Sequence, residues 1–224
     1  METALLPAGS AEALSLAAAL LREGELVALP TDTLYGLAAN ALDGRAVRRV
    51  YAAKQRSLRN PLPIFIAGID DLEQLCREIP DAAWPLLQRF WPGALTVVLR
   101  RADRLPVEVA AGGPTVAVRA PDHPIPQALL AELGLPLTAT SANRSGGPAP
   151  ATAQEVERQL AGRLPLILDG GPCPGPTPST IVDLSVEPPR LVRQGAVPVA
   201  ALRGLLPAIQ ADTSSPGGPT AGEA

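Results

Sequence analysis

The residues in this sequence that are best suited to binding chemistry are positively charged groups inside short polar motifs. Lys54 and Arg56 follow a predicted helix, and Asn60 comes later in the same loop. The chain contains 18 arginines but a single lysine, which makes Lys54 unusual. A lysine ammonium is a compact point charge that suits phosphate, whereas an arginine is a planar fork. We therefore consider Lys54 and Arg56 as phosphate ligands, with a solvated surface position as the alternative.

Two further arginines lie at the ends of predicted strands. Arg119 ends the apolar run TVAVR, and Arg193 follows the apolar pair Leu-Val. Four cations that converged on one cleft would suit a polyphosphate together with a carboxylate. For any one of them taken alone, a solvated surface position is the alternative interpretation.

Two loops offer hydroxyl and amide groups to an anionic ligand. The first is the polar turn TDTLY that starts at Thr31, and the second is Ser141-Ala142-Asn143 followed by Ser-Gly-Gly. Successive backbone amides of this kind form nests that bind anions. Ordinary turn chemistry is the alternative, because Thr, Asp and Ser bond to nearby backbone routinely. Asp169 and Asp183 also lie at strand ends, where they could contact a magnesium-bound water or only cap turns.

Several classes of active site are excluded by what the sequence lacks. The only histidine, His123, stands between Asp and Pro in what reads as a rigid turn, so neither a Ser-His-Asp triad nor a histidine metal site is expected. Cys76 and Cys173 are far apart, which argues against zinc or a disulfide framework and fits a reducing compartment. The glycine-rich fingerprints of P-loop and dinucleotide-binding proteins are absent. We expect no residue to bind a metal directly.

The overall composition favours a folded α/β enzyme over a nucleic-acid-binding protein. Of the 224 residues, 46% are hydrophobic and only 3% aromatic, and the net charge is −3. Proteins that grip a phosphate backbone usually carry a basic excess, so any RNA contact should be local. The N-terminal apolar stretch lacks a basic start and is interrupted by Glu12, so we read a helix rather than a secretory signal. No apolar stretch is long enough to span a membrane, and we expect a cytoplasmic location.

Helical and extended patterns alternate along the chain. Helices are predicted over residues 10–23, from 43, and over 70–79, 81–91, 125–133 and 152–160; strands are predicted over 25–29, 63–67, 94–99, 115–119, 136–140, 165–168, 179–184 and 190–192. Alternation of this kind predicts an α/β fold, with a single open twisted mixed sheet, flanking helices and a ligand cleft at the strand ends. We expect one domain over residues 1–206 and a disordered tail over 207–224, which is rich in Ser, Pro and Gly.

Six of these motifs, in their order, resemble the YrdC-type L-threonylcarbamoyladenylate synthases. They are PTDTLYGL, K-x-R with Asn-Pro-Leu just after it, PGALTVVL, TVAVRAPDHP, TATSANRSGGPAP and PSTIVDL. The resemblance runs from about residue 10 to about residue 200. A lone K-x-R would mean little, but six ordered motifs are specific. The resemblance implies a YrdC-like fold of the short, single-domain type.

The resemblance also implies a reaction. Family members condense L-threonine, bicarbonate or carbon dioxide, and ATP with Mg²⁺ held mainly by its phosphates, into threonylcarbamoyl-AMP and pyrophosphate. A downstream tRNA threonylcarbamoyl transferase complex then carries the group to adenosine beside the anticodon. By motif, Lys54 and Arg56 would be catalytic residues at the phosphates, with Asn60 close by; Thr115, Ser141, Asn143 and Arg193 would bind the nucleotide; Thr33, Arg119 and Ser179 would bind threonine, Arg119 through its carboxylate.

One departure and two alternatives accompany this interpretation. Some family members carry a histidine in the strand after Asn-Pro-Leu, whereas this chain has Phe65 there, which puts one threonine contact in doubt. The first alternative function is a binding module that recognises structured RNA through a basic concave face. The second is a carbamoyl-handling domain of the hydrogenase-maturation kind, which shares the fold by resemblance. A weak tRNA contact is also compatible with the enzyme interpretation.

Overall fold

A computed structural model describes residues 2–175 and 177–211 of the chain. The helices of this part are α1 (Ala11–Arg22), α2 (Gly44–Lys54), α3 (Leu72–Leu75), α4 (Ala83–Phe90), α5 (Pro124–Leu133), α6 (Ala153–Leu160) and α7 (Val199–Arg203). The strands are β1 (Ala4–Pro7), β2 (Val27–Leu29), β3 (Gly36–Ala38), β4 (Ile64–Phe65), β5 (Cys76–Arg77), β6 (Leu95–Arg101), β7 (Thr115–Arg119), β8 (Leu137–Thr138), β9 (Thr140–Ser141), β10 (Leu166–Asp169), β11 (Thr180–Asp183), β12 (Arg190–Arg193) and β13 (Gln210–Ala211). None of the helices in these ranges combines the length and apolar character needed to cross a membrane.

Local sequence signals set the starts of the main helices. The side chains of Ser10 and Asp43 accept hydrogen bonds from backbone amides of the first turns of α1 and α2. Thr152 and Glu155 form a reciprocal capping box at the start of α6. Each cap satisfies amides that the helix itself leaves without an acceptor. The predicted starts of these three helices are therefore confirmed.

The strands form two mixed sheets. The smaller has the order β1-β10-β2-β3-β9, with parallel pairing from β1 to β2 and antiparallel pairing from β2 to β9. The larger has the order β13-β12-β11-β6-β7-β4-β8, and β5 pairs with β6 beside this path. The α/β class and the mixed pairing are confirmed, and the number of sheets is corrected from one to two.

The division into two sheets follows from a change of partner at Ala139. Residues 136–140 were expected to form one strand, but Leu137–Thr138 pair with β4 and Thr140–Ser141 pair with β3. Between them the amide of Ala139 donates to Pro63 O at 2.8 Å. An isolated bridge from Asn40 to Leu137 links the sheets at the same place. The segment therefore brings Ser141 in the smaller sheet close to β4 in the larger one.

Two other predictions are corrected by strand pairing. The helix expected to reach residue 79 ends at Leu75, because Cys76 and Arg77 pair with the end of β6. The tail expected from residue 207 does not begin there: Ile209 is buried in the main hydrophobic core and β13 pairs with β12. Residues 212–224 of that predicted tail lie outside the described residues.

Candidate active site

A cavity of about 460 Å³ lies between the polar turn at Thr31 and the face of the larger sheet. Its polar lining residues are Thr31, Thr33, Tyr35, Arg56, Asn60, Thr96, Arg119, Ser141, Ser179 and Arg193. Seven of the ten residues predicted to bind ligands are in that lining. The other three, Lys54, Thr115 and Asn143, are not.

Strand geometry divides the cavity into a polar end and an apolar floor. Side chains two residues apart on a strand share a face, which puts Val98 beside Thr96 and Ala117 beside Arg119 on the cavity side. Val98 pairs with Ala117 across the sheet, and Ile181 lies opposite Thr96. The floor is therefore aliphatic and lies next to a cluster of cations and hydroxyls.

Arg119 is the centre of the polar end. It is 5% exposed, and three acceptors hold its guanidinium: Gly93 O at 2.8 Å from Nε, Thr33 Oγ1 at 3.2 Å from Nη1 and Asp32 Oδ2 at 2.6 Å from Nη2. The ring of Phe65 stacks 5.7 Å from its central carbon. Burial lowers the pKa of Arg119, and Asp32 opposes that shift. The guanidinium is thus held in one plane at the cavity wall.

Arg193 ends β12, which lies between β11 and β13, and it binds Ser179. Its Nε and Nη2 donate to Ser179 O at 3.1 and 2.9 Å, and Nη2 also donates to Ser179 Oγ at 3.2 Å. The hydroxyl oxygen of Ser179, Oγ, lies 2.8 Å from Oγ1 of Thr96. Burial, followed by the nearby charge of Arg119, lowers the pKa of Arg193 to about 10, so the group stays protonated at neutral pH. Two arginines of like charge therefore share this end of the cavity.

Arg56 and Asn60 form part of the rim. Arg56 donates from Nε to Asn60 O at 3.1 Å and from Nη2 to Pro61 O at 3.0 Å, which fixes the loop after α2. Tyr51 in α2 also donates to Asn60 O, at 3.0 Å. The Arg56 side chain remains exposed enough to meet an anion in the cavity.

Lys54 lies behind the cavity wall, although the sequence suggested a cation that faces the ligand. It is 1% exposed, and its ammonium donates to Ser141 O, to Asn143 O at 2.8 Å and to Asn143 Oδ1 at 3.4 Å. A lysine ammonium has three hydrogens, so these three acceptors use all of them. Burial, with a smaller effect of Arg56, lowers the pKa of Lys54 to about 7. Its observed contacts hold the loop from Ser141 to Asn143 in place.

Asn143 is buried with Lys54 and also binds its own loop. Its Nδ2 donates to Arg144 O at 2.9 Å and to Gly147 O at 2.8 Å. The loop closes on α2 through the amide of Ser145, which donates to Lys54 O at 2.8 Å. Ser141 is therefore the member of this loop that reaches the cavity, and Asn143 supports it.

Thr115 shares the cavity face of β7 with Ala117 and Arg119 but lies beyond the apolar floor. It begins β7, two residues before Ala117, so it is about 7 Å further along the strand. The described lining ends at Ala117. A ligand would have to extend past that floor to reach Thr115.

The aspartates considered for a magnesium-bound water have protein partners. Asp169 accepts from the amide of Gly171 at 2.9 Å, and Asp183 accepts from the amide of Ser185 at 2.9 Å, as turn caps do. Asp32 binds Arg119. Within residues 2–175 and 177–211 no group of three His, Cys, Asp or Glu side chains could hold a metal ion.

Thr96 is the polar cavity residue that sequence reasoning missed. It stands within the β-branched run of β6, where a threonine looks like an ordinary strand former. The only available signal was its place in the motif PGALTVVL, two residues before Val98 on the same face. Its partner Ser179 lies 83 positions away in the sequence, so the contact depends on β6 and β11 pairing.

This fold and site agree with a match to a known family. The sequence model of Sua5_yciO_yrdC, described as telomere recombination, matches residues 19–195, which is most of the chain. The chain belongs to the Sua5/YciO/YrdC family. Among curated members, it is 46% identical over 197 residues to the threonylcarbamoyl-AMP synthase of Bacillus subtilis, covering 88% of this chain and 57% of that protein. It is 46% identical to the Pyrococcus abyssi threonylcarbamoyl-AMP synthase, covering 82% and 54%. The chain thus spans about half the length of these two relatives.

Solved structures of Sua5/YciO/YrdC proteins have the same fold. An H234A/Y235A variant of P. abyssi Sua5 superposes with a TM-score of 0.92 at 38% identity, covering 99% of this chain and 67% of that one. P. abyssi Sua5 complexed with L-threonine gives 0.88 at 40% identity, covering 94% and 63%. E. coli YciO gives 0.80 at 25% identity, covering 88% and 98%. HypF from T. kodakarensis, at 19% identity and 0.72, shares the fold alone.

Proposed function

We propose that this chain is a threonylcarbamoyl-AMP synthase, a nucleotidyltransferase that condenses L-threonine, bicarbonate or carbon dioxide, and ATP. The observation that carries the proposal is the polar end of the cavity, where buried Arg119 lies beside Ser179, Thr33 and Arg193. A carboxylate is the acceptor that such a set of donors favours. The relatives named above carry this activity in their names, and one was crystallised with L-threonine.

The amino acid would occupy the polar end of the cavity. Arg119 still has N–H groups beyond those that bind Gly93, Thr33 and Asp32, since a guanidinium offers five. These can bind the α-carboxylate, with the hydroxyls of Thr33 and Ser179 close by. Phe65 and Ala139 present apolar surface beside them, which suits a methyl group.

The nucleotide would extend from the rim over the apolar floor. Arg56, Asn60 and Ser141 are placed to meet phosphates, and Arg193 lies at the boundary with the floor. Aliphatic side chains such as Val98 and Ile181 can pack against a flat base. Thr115, at the far end of the same face, is then a candidate contact for the nucleoside. Lys54 and Asn143 would support the phosphate site by holding the loop that carries Ser141.

The chemistry needs placement and charge neutralisation more than acid–base groups. The amine nitrogen of threonine adds to the carbon of carbon dioxide and loses a proton, which gives a carbamate. A carbamate oxygen then attacks the α-phosphorus of ATP, the bond from that phosphorus to the bridging oxygen breaks, and pyrophosphate leaves. Arg56 and Arg193 are suited to stabilise the charge on the phosphates. Mg²⁺ would be held mainly by the phosphates of ATP, since no group of three His, Cys, Asp or Glu side chains in the described residues could hold a metal ion.

The product would be an activated intermediate for another protein. A mixed anhydride of a carbamate and AMP is prone to hydrolysis, so transfer to a downstream tRNA threonylcarbamoyl transferase complex would follow synthesis. We expect at most a weak contact with tRNA, since the net charge is −3. A cytoplasmic location is consistent with that partnership.

The direct test is pyrophosphate release by the purified chain. ATP, threonine and bicarbonate together should give pyrophosphate and a threonylcarbamoyl-AMP peak in the mass spectrum, and omission of any one should remove both. Arg56→Ala should reduce release strongly, whereas Arg89→Ala, which removes an exposed arginine of α4 outside the cavity lining, should not. Pyrophosphate release that does not depend on threonine would overturn the proposal.

A further inference from the structure

Thr96 and Ser179 form a buried pair of hydroxyls at the polar end of the cavity. Their oxygens are 2.8 Å apart, and both side chains line the cavity, with residues Thr96 and Ser179 being 3% and 7% exposed. Each hydroxyl carries one hydrogen and can accept two hydrogen bonds. The pair therefore has two hydrogens to place, and the bond between the oxygens uses one of them.

The neighbouring arginine limits how many further hydrogen bonds Ser179 can accept. Arg193 Nη2 donates to Ser179 Oγ at 3.2 Å, and a guanidinium can only donate, so one acceptor position of Ser179 is filled. Thr96 Oγ1 has no hydrogen-bond partner other than Ser179 in the part of the chain that the structure describes. If Thr96 did not donate to Ser179, its own hydrogen would have no acceptor among the described residues.

We propose that Thr96 is a positioning residue that donates to Ser179 and thereby turns the Ser179 hydrogen toward the substrate. Both acceptor positions of Ser179 are then occupied, by Arg193 and by Thr96. Its remaining capacity is one O–H donor directed into the cavity. This inference rests on the proposed function, because the group that accepts from Ser179 is taken to be an oxygen of the amino-acid substrate.

The arrangement has a consequence for selectivity. Arg119, Arg193 and the oriented Ser179 would all donate at this end, so the site favours a carboxylate and disfavours a ligand that presents an N–H or ammonium there. Without Thr96, the Ser179 hydroxyl could rotate and accept instead. Thr96 would thus act through Ser179, without touching the substrate.

Calorimetric titration of threonine and ATP into matched variants tests this role. Thr96→Val keeps the shape of the side chain and removes its hydroxyl, and it should weaken threonine binding about three- to tenfold, the scale of one hydrogen bond. ATP binding should change less than about twofold, because Ser179 is proposed to contact the amino acid and not the nucleotide. Thr96→Ser should restore threonine binding. Thr138→Val serves as the control, because Thr138 is also buried in a strand but donates to Leu37 O outside the cavity lining.

A double variant separates positioning from direct contact. Ser179→Ala should weaken threonine binding, and adding Thr96→Val to it should weaken binding no further, since the residue through which Thr96 acts is gone. An equal effect of Thr96→Val with and without Ser179 would overturn the inference, as would threonine binding by Thr96→Val that matches the wild type. A wild-type chain that binds no threonine would overturn the proposed function and this inference together.

Discussion

Oδ2 of Asp32 lies 2.6 Å from Nη2 of Arg119, so the cation of the polar end has a protein counter-ion before any substrate arrives. Oδ1 of the same carboxylate is buried and has no hydrogen-bond partner among the described residues. A buried ion pair is costly to break from one side, because the charge that remains is uncompensated. The pair therefore ties the proposed binding role of Arg119 to the stability of the fold.

Arg119→Gln should weaken threonine binding about 10- to 100-fold, the scale of one charge-assisted hydrogen bond, and affect ATP far less. It should also lower stability, by about 3–5 kcal/mol if Asp32 stays charged and unpaired. Calorimetric titration and thermal unfolding measure the two effects. Equal weakening of threonine and ATP binding, or no change in either, would contradict the assignment of Arg119 to the threonine carboxylate.

Adding Asp32→Asn to the Arg119→Gln variant separates the effect of Arg119 on threonine binding from its effect on stability. The double variant with Arg119→Gln should recover part of the lost stability, since no charge is left unpaired, but should not recover threonine binding. Recovery of binding would mean that Arg119 acts only through the fold.

The single lysine gives a direct measurement of a perturbed pKa. In protein labelled with ¹³C-lysine, the chain has only Lys54 to report. Burial should lower its pKa from 10.5 to about 7. Between these values the folded chain binds fewer protons than the unfolded chain, so this group makes stability rise with pH, and the gain is lost as pH falls through 7. A titration midpoint above 10 would contradict the buried geometry.

Substitution of Lys54 should affect both activity and stability, unlike substitution at the rim. Lys54→Ala should abolish adenylate formation and lower the melting temperature, because three buried oxygens of Ser141 and Asn143 lose their donor. Lys54→Arg should restore little, since the larger planar group has no room at a 1% exposed position. Arg56→Ala should lose activity with little change in melting temperature. Near wild-type pyrophosphate release by Lys54→Ala would show that the reaction does not need Lys54 to support the phosphate site.

Sequence patterns predicted where the strand-end motifs lie, but they did not predict the direction of every side chain. The bounds of β7 and the capping of α6 follow from local residue types, and both are confirmed. By contrast, Lys54 was expected to face the ligand, and its burial depends on carbonyls about 90 residues away. The short strands β1, β3 and β13 were missed for the same reason, since two to four residues become a strand only when a partner lies beside them.

Thr140→Val should stabilise the protein. Thr140 is 1% exposed in β9, and its hydroxyl is buried without a hydrogen-bond partner within the described residues. An unsatisfied buried hydroxyl costs about 1–3 kcal/mol, and valine has a similar shape and suits a strand. Denaturant unfolding should show a gain of about 1 kcal/mol within that range. A loss of stability would mean that the hydroxyl is hydrogen-bonded in solution.

Truncation should show how much β13 contributes to the stability of the fold. Ending the chain after Leu206 removes buried Ile209 and the strand that pairs with β12, which carries Arg193, so the melting temperature should fall by several degrees. Ending it after Ala211 keeps both and is the matched control. Ile209→Ala in the full chain should reproduce most of the loss, about 2–3 kcal/mol. Equal melting temperatures for the two truncations would show that this segment adds nothing.

The burial of Lys54 also affects whether the proposed product would react with the protein itself. A carbamic–phosphoric anhydride acylates amines, and a lysine amine beside the cavity would compete with the intended acceptor. The only ε-amine of the chain is enclosed by carbonyl oxygens, and the 18 arginines are poor nucleophiles because their guanidinium groups stay protonated. We therefore expect the protein to release or hand over its activated intermediate without acylating its own lysine.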